Sequence, residues 1–301
     1  MSVLVFGGSG FIGSKVVECL LKNNIECLSF DIVASNIGGM NAKWIRADIL
    51  EVPSIERIFF EYNIDTVIHL VGLPAIEYCE VNPHFSFLLN VVSVQNVLEA
   101  MRKTDIKKIV FASSAAVYGY HSKGSVKETD LTNPTTIYGY HKLIAEQLIK
   151  SYNQSYGLNY VTLRLFNVYG GNPDIGKDVI STFIRRSARG LPIVIKGPNK
   201  YRDFIHINDV INTFVKVAIE DVSNVTINIG TGKMTTLFEV ANIVKKYFPK
   251  VEVKYEVPPD DGTGIVADIT LAKEKLSFTP IDPQKGIDEY IASYSYANSV
   301  F

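Results

Sequence analysis

A chain of 301 residues with 47% hydrophobic side chains is long enough for a large core, built as one large domain or as two fused lobes. The formal net charge is −1 and like charges do not cluster into runs, which argues against binding to nucleic acid or to an anionic membrane surface. A small-molecule partner is therefore favoured.

The cysteines and the N-terminus indicate the compartment. Cys19, Cys27 and Cys79 lack metal-ligand spacing and lie in apolar segments, which favours free thiols over disulfides or a zinc site. Residues 1–6 are typical of a strand rather than of a signal peptide. No apolar stretch reaches the roughly 18 to 20 residues that cross a bilayer. We expect a cytoplasmic protein without a bound metal.

The first two-thirds of the chain alternate short β-branched runs with longer helical patterns, which predicts βαβ units and a parallel sheet. The predicted strands are 3–6, 26–30, 43–46, 66–70, 108–112 and 160–165. The predicted helices are 13–21, 52–62, 85–101 and 138–156. Several strands are almost entirely apolar, as a sheet covered on both faces requires.

The pattern changes after Phe166, where a stretch rich in Gly, Pro and Asn precedes a helix near 179–189 and short strands near 193–195 and 251–255. We predict a Rossmann-type, doubly wound α/β domain over residues 1–165. A smaller α/β domain over residues 166–301 would bind the substrate and would be interleaved with the first.

Glycines spaced G-x-x-G-x-x-G follow the first strand at Gly7, Gly10 and Gly13. Such a turn lets the backbone and the helix N-terminus approach a pyrophosphate, although an ordinary glycine-rich turn has the same pattern. Asp31 ends the second strand 18 residues after Gly13, where a carboxylate can bind the ribose hydroxyls and repel a 2′-phosphate. NAD is therefore favoured over NADP. Asp48 follows the third strand and could meet the adenine amine or cap a helix.

Tyr138 and Lys142 are spaced i, i+4, so a helix places both side chains on one face. Using a tyrosine as a base near neutral pH means lowering its pKa by about 3 units, or about 4 kcal/mol, which an ammonium and a nicotinium cation can supply. The spacing is also a common coincidence on helices. The predicted strand 108–112 leads into Ser114, however, and a hydroxyl at the carboxyl end of a strand lies where α/β sheets bind ligands.

Several segments, in this order, resemble the extended short-chain dehydrogenase/reductase family. They are the glycine turn, HLVGL (69–73), N…NVLEA (90–100), SSAAVYG (113–119), YGYHK (138–142), RLFNVYG (164–170) and RDFIHIND (202–209). The resemblance is strongest to the nucleotide-sugar epimerase/dehydratase branch and, within it, to the UDP-galactose (UDP-glucose) 4-epimerases. It implies NAD as cofactor, a nucleotide-diphosphate sugar as substrate, and Ser114, Tyr138 and Lys142 as catalytic residues.

The resemblance and the glycine pattern together define a predicted cofactor site. Its residues are Gly7, Gly10, Phe11, Ile12, Gly13, Asp31, Asp48, Ile49, Leu70, Val71, Gly72, Asn90, Tyr138 and Lys142. The predicted substrate contacts are Ser114, Tyr118, Asn167 and Arg202, the last two at the diphosphate. Two of these have structural alternatives: an internal ion pair for Arg202, and a core aromatic with a satisfied hydroxyl for Tyr118.

Ser114 is followed by Ala115 and Ala116, where 4,6-dehydratases of the family carry an acidic pair. Without an added acid or base, a 4-keto intermediate can only take its hydride back, which predicts a 4-epimerase. Relatives place a base-stacking aromatic at the position of Lys196 and a second diphosphate arginine at that of Pro258, so the base and the sugar stay open. A 4-dehydrogenase or 4-ketoreductase is the alternative, and a non-catalytic dinucleotide-sensing protein is a third.

The histidines His69 and His206 lie in apolar settings, where structural histidines are more common than catalytic ones. The long helices 85–101 and 138–156 carry apolar residues on more than one face, including Phe87, Leu88, Leu89, Val91 and Val94 on the first. Relatives pair these helices in a four-helix bundle. We therefore expect a homodimer.

Overall fold

The computed structural model describes residues 1–34, 42–104, 106–119, 124–174, 176, 178–258 and 262–298, the last four without their side chains. Spatial contacts divide the chain into two units. Unit 1 comprises Met1–Gly119, Leu131–Arg164 and Ile211–Ile227, and unit 2 the described residues within Tyr120–Asp130, Leu165–Val210 and Asn228–Phe301. The division into a Rossmann-type domain over residues 1–165 and a substrate-binding domain over residues 166–301 stays a prediction.

A seven-stranded sheet forms the centre of the fold. Its strands are β1 (Ser2–Phe6), β2 (Glu26–Asp31), β3 (Lys43–Arg46), β4 (Thr66–His69), β5 (Lys108–Ser114), β7 (Asn159–Leu165) and β12 (Val225–Ile229). The strands numbered between these are short and belong to unit 2. The order is β12-β7-β5-β4-β1-β2-β3, and β1 pairs in parallel with both β2 and β4. The order reverses between β1 and β4, which is where doubly wound sheets bind their ligands.

The helices that accompany this sheet have one buried face. They are α1 (Gly13–Lys22), α2 (Val52–Glu61), α3 (Ile76–Val81), α4 (Pro83–Phe87), α5 (Ser93–Arg102), α6 (Ile137–Tyr156) and α8 (Ile207–Ile219). All five residues of β1 are buried, and a single apolar cluster joins strand residues such as Phe6 to helix residues such as Ile55, Leu98 and Ile149. Burial on both faces explains why a central strand such as β1 is almost entirely apolar. The predicted Rossmann-type α/β fold is confirmed.

Unit 2 contains the smaller helices and strands of the C-terminal part. The helices are α7 (Val179–Ala188), α9 (Leu237–Tyr247), α10 (Thr270–Leu276) and α11 (Pro283–Asn298). The strands are β6 (Ser125–Val126), β8 (Asn167–Tyr169), β9 (Ile193–Lys196), β10 (Tyr201–Arg202), β11 (Phe204–His206), β13 (Thr235–Thr236), β14 (Val253–Glu256) and β15 (Val266–Ala267). Helix and strand residues including Ile184, Ile195, Val244 and Ile291 form a second apolar core.

The predicted strands and helices are all present, with ends that differ by one or two residues. The helix predicted over 85–101 consists of α4, a π-helical segment at Leu88–Val92, and α5. The seventh strand β12 and the helix α8 before it lie beyond the point where the sequence pattern changes, and the sequence did not reveal them. Within the described residues, no helix combines the length and apolar character that a membrane span requires.

Candidate active site

The glycine turn between β1 and α1 is tight enough to require glycine. Gly7 has a φ of +81°, and a Cβ at Gly13 would collide with the Gly7 carbonyl oxygen. The Gly10 N–H donates to the same oxygen at 3.0 Å. α1 begins directly after this turn, at Gly13, so the turn leads into a helix N-terminus, the positive end of a helix that suits an anion such as a pyrophosphate. The predicted phosphate-binding residues Gly7 to Gly13 thus have a geometry that fits the cofactor.

Asp31 lies at the end of β2, beside this turn. Its Oδ2 accepts a hydrogen bond from the Ser9 N–H at 3.0 Å, and its Oδ1 accepts one from the Val33 N–H at 3.3 Å. The carboxylate is only half-buried, so it can still receive ribose hydroxyls. A carboxylate fixed at the turn fits NAD better than a dinucleotide with a 2′-phosphate.

Asp48 and Ile49 follow β3. The Asp48 carboxylate accepts a hydrogen bond from the Leu50 N–H at 2.9 Å, which stabilises the turn before α2. The N-cap of α2 is Glu51, so the alternative interpretation of Asp48 as a helix N-cap is wrong. Ile49 is buried in the core, and its carbonyl accepts from Asn96, so its side chain serves packing.

The chain leaves β4 through Leu70, Val71 and Gly72, close to both the glycine turn and the predicted catalytic lysine. A Cβ at Gly7 would lie 3.0 Å from the Leu70 carbonyl carbon and from the Val71 nitrogen. A Cβ at Gly72 would lie 2.8 Å from Asn90 Oδ1 and 3.2 Å from Lys142 Nζ. Glycine at 72 therefore allows the close approach of Asn90 and Lys142 to this segment, which any other residue would disturb.

Asn90 holds the segment after Gly72 in place from the π-helical turn. Its Oδ1 accepts from the Leu73 N–H at 3.0 Å, and its Nδ2 donates to the Leu73 carbonyl at 3.3 Å and to Ser86 Oγ at 3.1 Å. The side chain is fully buried. π-helical turns occur often at functional sites, where the extra residue re-aims a side chain. The structure thus brings Asn90 together with Gly72 and Lys142, as the predicted site requires.

The three predicted catalytic residues meet at the carboxyl end of β5. Ser114 ends this strand, and its Oγ accepts from the Ala116 N–H at 3.2 Å, which caps a short 3₁₀ helix at Ala115–Tyr118. The Ser114 side chain lies beside that of Tyr138, close enough to lower its pKa. Lys142 Nζ donates to the Ala112 carbonyl at 2.8 Å and lies 5.9 Å from the centre of the Tyr138 ring.

The first turn of α6 fixes this arrangement. Thr136 caps the helix by accepting from the Gly139 N–H at 3.1 Å, and the Ile137 N–H donates to Glu80 at 2.8 Å. A Cβ at Gly139 would lie 2.6 Å from the Ala116 carbonyl oxygen. The glycine therefore allows α6 to approach the turn that Ser114 caps.

Burial shifts the ionisation of both predicted catalytic residues on α6. It raises the pKa of Tyr138 to about 12, opposed by the neighbouring Ser114. It lowers the pKa of Lys142 to about 8, opposed by the charge of Glu146. A phenolate at Tyr138 thus requires positive charge close by, which a protonated Lys142 and a bound, oxidised nicotinamide would supply.

Tyr118, a predicted substrate contact, lies in the core. It is fully buried, its hydroxyl accepts from Arg164 Nη1 at 2.8 Å, and the Arg164 guanidinium lies 4.8 Å from its ring centre. This environment fits the alternative interpretation of a core aromatic with a satisfied hydroxyl. Arg164 also pairs with Glu146. The sequence did not point to Glu146, although this residue follows Lys142 by one helical turn.

Unit 2 contains the two residues predicted at the diphosphate. Asn167 begins β8, and its N–H donates to the Asp203 carbonyl at 2.9 Å. Arg202 precedes Asp203 in the chain, and its Nη1 donates to the Tyr201 carbonyl at 2.8 Å. The buried Asp203 carboxylate accepts from the N–H groups of Thr231, Gly232 and Ala267, which organises this part of unit 2. A separate surface crevice of about 560 Å³ in unit 2, lined by residues such as Lys233 and Asp282, does not include Asn167 or Arg202 among its described lining.

The two histidines have structural environments. His69 is fully buried, its Nε2 lies 3.4 Å from Ser93 Oγ, and burial lowers its pKa to about 3. His206 is half-buried; its Nδ1 accepts from the Asn208 N–H at 3.2 Å, and its ring lies 5.3 Å from that of Tyr169. Both are neutral near pH 7, because burial also lowers the pKa of His206.

Comparison with known proteins identifies the relatives of this chain. A sequence profile of the NAD dependent epimerase/dehydratase family matches residues 3–230. A provisionally named UDP-glucose 4-epimerase of Methanocaldococcus jannaschii is 36% identical over 299 residues, covering 96% of this chain and 97% of that protein.

Solved structures agree along the whole chain. The UDP-glucose 4-epimerase of Thermotoga maritima, solved with UDP-glucose, has a TM-score of 0.91 at 29% identity and covers 100% of both chains. The UDP-glucose 4-epimerase of Thermus thermophilus, solved with NAD, has a TM-score of 0.88 at 30% identity over 98% of this chain and 99% of that one. The resemblance inferred from the sequence motifs is confirmed: this chain belongs to the NAD-dependent epimerase/dehydratase family.

Proposed function

We propose that this protein is an NAD-dependent UDP-sugar 4-epimerase that inverts C4 of the sugar through transient oxidation. The observation that carries the proposal is that Ser114, Tyr138 and Lys142 lie together at the end of β5, with Lys142 Nζ 5.9 Å from the centre of the Tyr138 ring. Membership of the family supports the same assignment. The sugar itself is left to experiment.

NAD would be held by the glycine turn, by Asp31 and by the segment from Leu70 to Gly72, which Asn90 fixes through its hydrogen bonds with the next residue, Leu73. When bound there, NAD would supply a reversible acceptor for the hydride at C4 of the sugar. The absence of a side chain at Gly72 lets Asn90 and Lys142 Nζ lie close to this segment. Asp31 would bind the adenosine ribose.

Side chains of the protein would accept the proton of the C4 hydroxyl and later return it. Ser114 hydrogen-bonds the reacting oxygen, and Tyr138 takes the proton as the oxygen becomes a carbonyl. Lys142 stabilises the phenolate, since its ammonium lies close to the Tyr138 ring. Tyr138 then gives the proton back when the hydride returns to the opposite face of the sugar.

The turn after Ser114 argues for epimerisation over dehydration. Its next residues, Ala115 and Ala116, offer no acid for a C6 hydroxyl and no base for a C5 proton. Hydride return is then the step that remains for a bound 4-keto sugar. If the 4-keto sugar left instead, the protein would be a 4-dehydrogenase, the alternative that the sequence left open.

Asn167 and Arg202 are proposed to bind the diphosphate. A planar guanidinium suits this task because it can donate two parallel hydrogen bonds to phosphate oxygens. Lys196, where relatives have a base-stacking aromatic, is exposed at the end of β9 and lies 3.9 Å from Glu256. The recognition of the nucleotide base is therefore a point at which this chain departs from its relatives.

A substrate panel tests the proposal. Purified protein is incubated with UDP-, GDP-, CDP- and TDP-sugars, products are separated by chromatography, and NADH absorbance is followed in parallel. We expect a 4-epimer from at least one UDP-sugar and no net change in NADH. Stoichiometric NADH with a 4-keto product would instead identify the dehydrogenase.

A further inference from the structure

A buried ion pair lies directly behind the catalytic residues. Arg164 on β7 donates to Glu146 on α6 through two parallel bonds, Nη2 to Oε2 at 2.8 Å and Nε to Oε1 at 3.0 Å. The side chain of Glu146 is fully buried and that of Arg164 is 3% exposed. Two charges are therefore held away from water in the core of unit 1.

This ion pair connects the segments that carry the catalytic residues. Glu146 Oε1 accepts a hydrogen bond from Ser113 Oγ at 2.5 Å, and Ser113 directly precedes Ser114. Arg164 Nη1 donates to the Tyr118 hydroxyl, at the end of the 3₁₀ helix that Ser114 caps. One cluster of side chains thus joins α6, β5, the turn after β5, and β7.

Glu146 also belongs to the helix face that bears the catalytic pair. It follows Lys142 by four residues and Tyr138 by eight, and all three side chains are buried. A stripe with this spacing runs along one side of the helix. The carboxylate therefore lies one turn beyond the ammonium.

Stability alone gives a weak reason for such a pair. Desolvation of two charges offsets much of their attraction, and apolar side chains of similar volume often stabilise a core equally well. Charges retained in a core therefore point to a role beyond packing.

The surroundings of Lys142 identify that role. The ionisable groups that face it are Tyr138 and Glu146 on α6, His69 on β4, and Cys79 on α3. β5 contributes the Phe111 ring at 4.8 Å and the Ala112 carbonyl, and the π-helical turn contributes the Asn90 amide. His69 is neutral, so Glu146 is the carboxylate in this set of described groups that can stabilise the buried ammonium.

We propose that Glu146 is a positioning residue: with Arg164 it fixes the Ser113–Ser114 strand end against α6, and its charge keeps Lys142 in the ammonium form. The role in turnover rests on the proposed function, because it is the Tyr138 phenolate that needs this ammonium. The charge state of Lys142 does not rest on it.

The test measures Lys142 directly in the full chain. Lysine labelled with ¹³C at Cε is titrated by NMR, with the Lys142 signal assigned by its loss in Lys142→Arg. Three variants are compared with the wild type: Glu146→Gln, the double variant Glu146→Gln/Arg164→Met, and Glu61→Gln. Glu61 is an exposed glutamate on α2 and serves as the control. The double variant removes the uncompensated arginine, so it separates the loss of the carboxylate from the effect of a stray buried charge.

We expect the Lys142 midpoint to fall by about one pH unit or more in both Glu146 variants and to stay unchanged in Glu61→Gln. The alkaline limb of kcat, measured on a UDP-sugar that turns over, should move to lower pH with it. An unchanged midpoint in the double variant, whatever the single variant does, overturns the proposal. A shifted midpoint in a protein that turns over no nucleotide sugar supports the charge role while refuting the proposed function.

Discussion

The Ser114 hydroxyl lies beside the buried Tyr138 side chain, where the first turn of α6 meets the end of β5. Burial raises the pKa of Tyr138, whereas Ser114 lowers it. The tyrosine is therefore protonated in the buried site, and added positive charge makes it a base. This balance is the basis of the proposed proton transfer.

Tyr138→Phe should retain the fold and NAD binding but lose about 10² to 10⁴ in kcat, the usual contribution of one positioned acid or base. Steady-state epimerisation with a UDP-sugar substrate measures it. The matched control is Tyr140→Phe, because Tyr140 lies two residues along the same helix and is 50% exposed. Near wild-type turnover by Tyr138→Phe would refute the role of the phenol.

Asp31→Asn should weaken the preference for NAD(H) over NADP(H) by about tenfold, since the repulsion between a carboxylate and a 2′-phosphate disappears. Fluorescence titration of both dinucleotides gives the ratio of affinities. Glu26→Gln, at the exposed start of the same strand, should leave that ratio unchanged. Equal affinities in the wild-type protein would contradict the assigned role of Asp31.

His69 should make the protein sensitive to acid. Burial, reinforced by the charge of Lys142, lowers its pKa from 6.5 to about 3, so between these values the unfolded chain binds a proton that the folded protein excludes. The stability contributed by the neutral imidazole is thus complete above pH 6.5 and falls as the pH decreases toward 3, by up to about 1.4 kcal/mol per pH unit.

Urea unfolding of His69→Gln at a series of pH values measures this effect. The variant should be less stable than the wild type near pH 7, and the difference should narrow as the pH falls. His84→Gln, which changes an exposed histidine, should follow the wild type at every pH. A difference that stays constant from pH 7 to pH 4 would be incompatible with a neutral, buried His69.

Much of this site could be predicted because its motifs are local. The glycine turn, the strand end before Ser114 and the Tyr138–Lys142 spacing each lie within one short segment, so pattern and chemistry identify them directly. Asp31 was identified because the length of a βαβ unit fixes its distance from the glycines.

The rest depends on contacts between distant segments. The role of Glu146 depends on its contacts with Arg164 and Ser113. These residues lie in other segments of the chain, and the order of the strands in the sheet brings them next to Glu146. The π-helical turn that aims Asn90 has no signal in the apolar periodicity of 85–101. The strand β12 mixes polar and apolar residues, and its place in the sheet follows from pairing rather than from composition.

The helices predicted to pair in a homodimer carry exposed apolar side chains. Phe85, Phe87, Tyr140 and Ile144 are 44%, 38%, 50% and 39% exposed, whereas Val91 and Val94, which the sequence also suggested, are buried in the core. A self-complementary helical face favours a two-fold dimer. The homodimer through a four-helix bundle stays a prediction.

Sedimentation at micromolar protein should give about twice 33.5 kDa. Ile144→Glu, which places a charge on the proposed interface, should yield monomers, whereas Phe60→Glu on α2, at a side chain that is 70% exposed, should leave the dimer intact. A wild-type mass near 33.5 kDa would exclude the dimer.

The most direct test of the central claim follows the hydride itself. A UDP-sugar carrying deuterium at C4 is incubated with the protein, NAD⁺ and a pool of unlabelled NADH, and the recovered sugars and dinucleotides are analysed by mass spectrometry. An epimerase that returns the hydride within one binding event should give the 4-epimer with deuterium still at C4 and none in free NADH. Deuterium in free NADH, together with a released 4-keto sugar, would contradict the account.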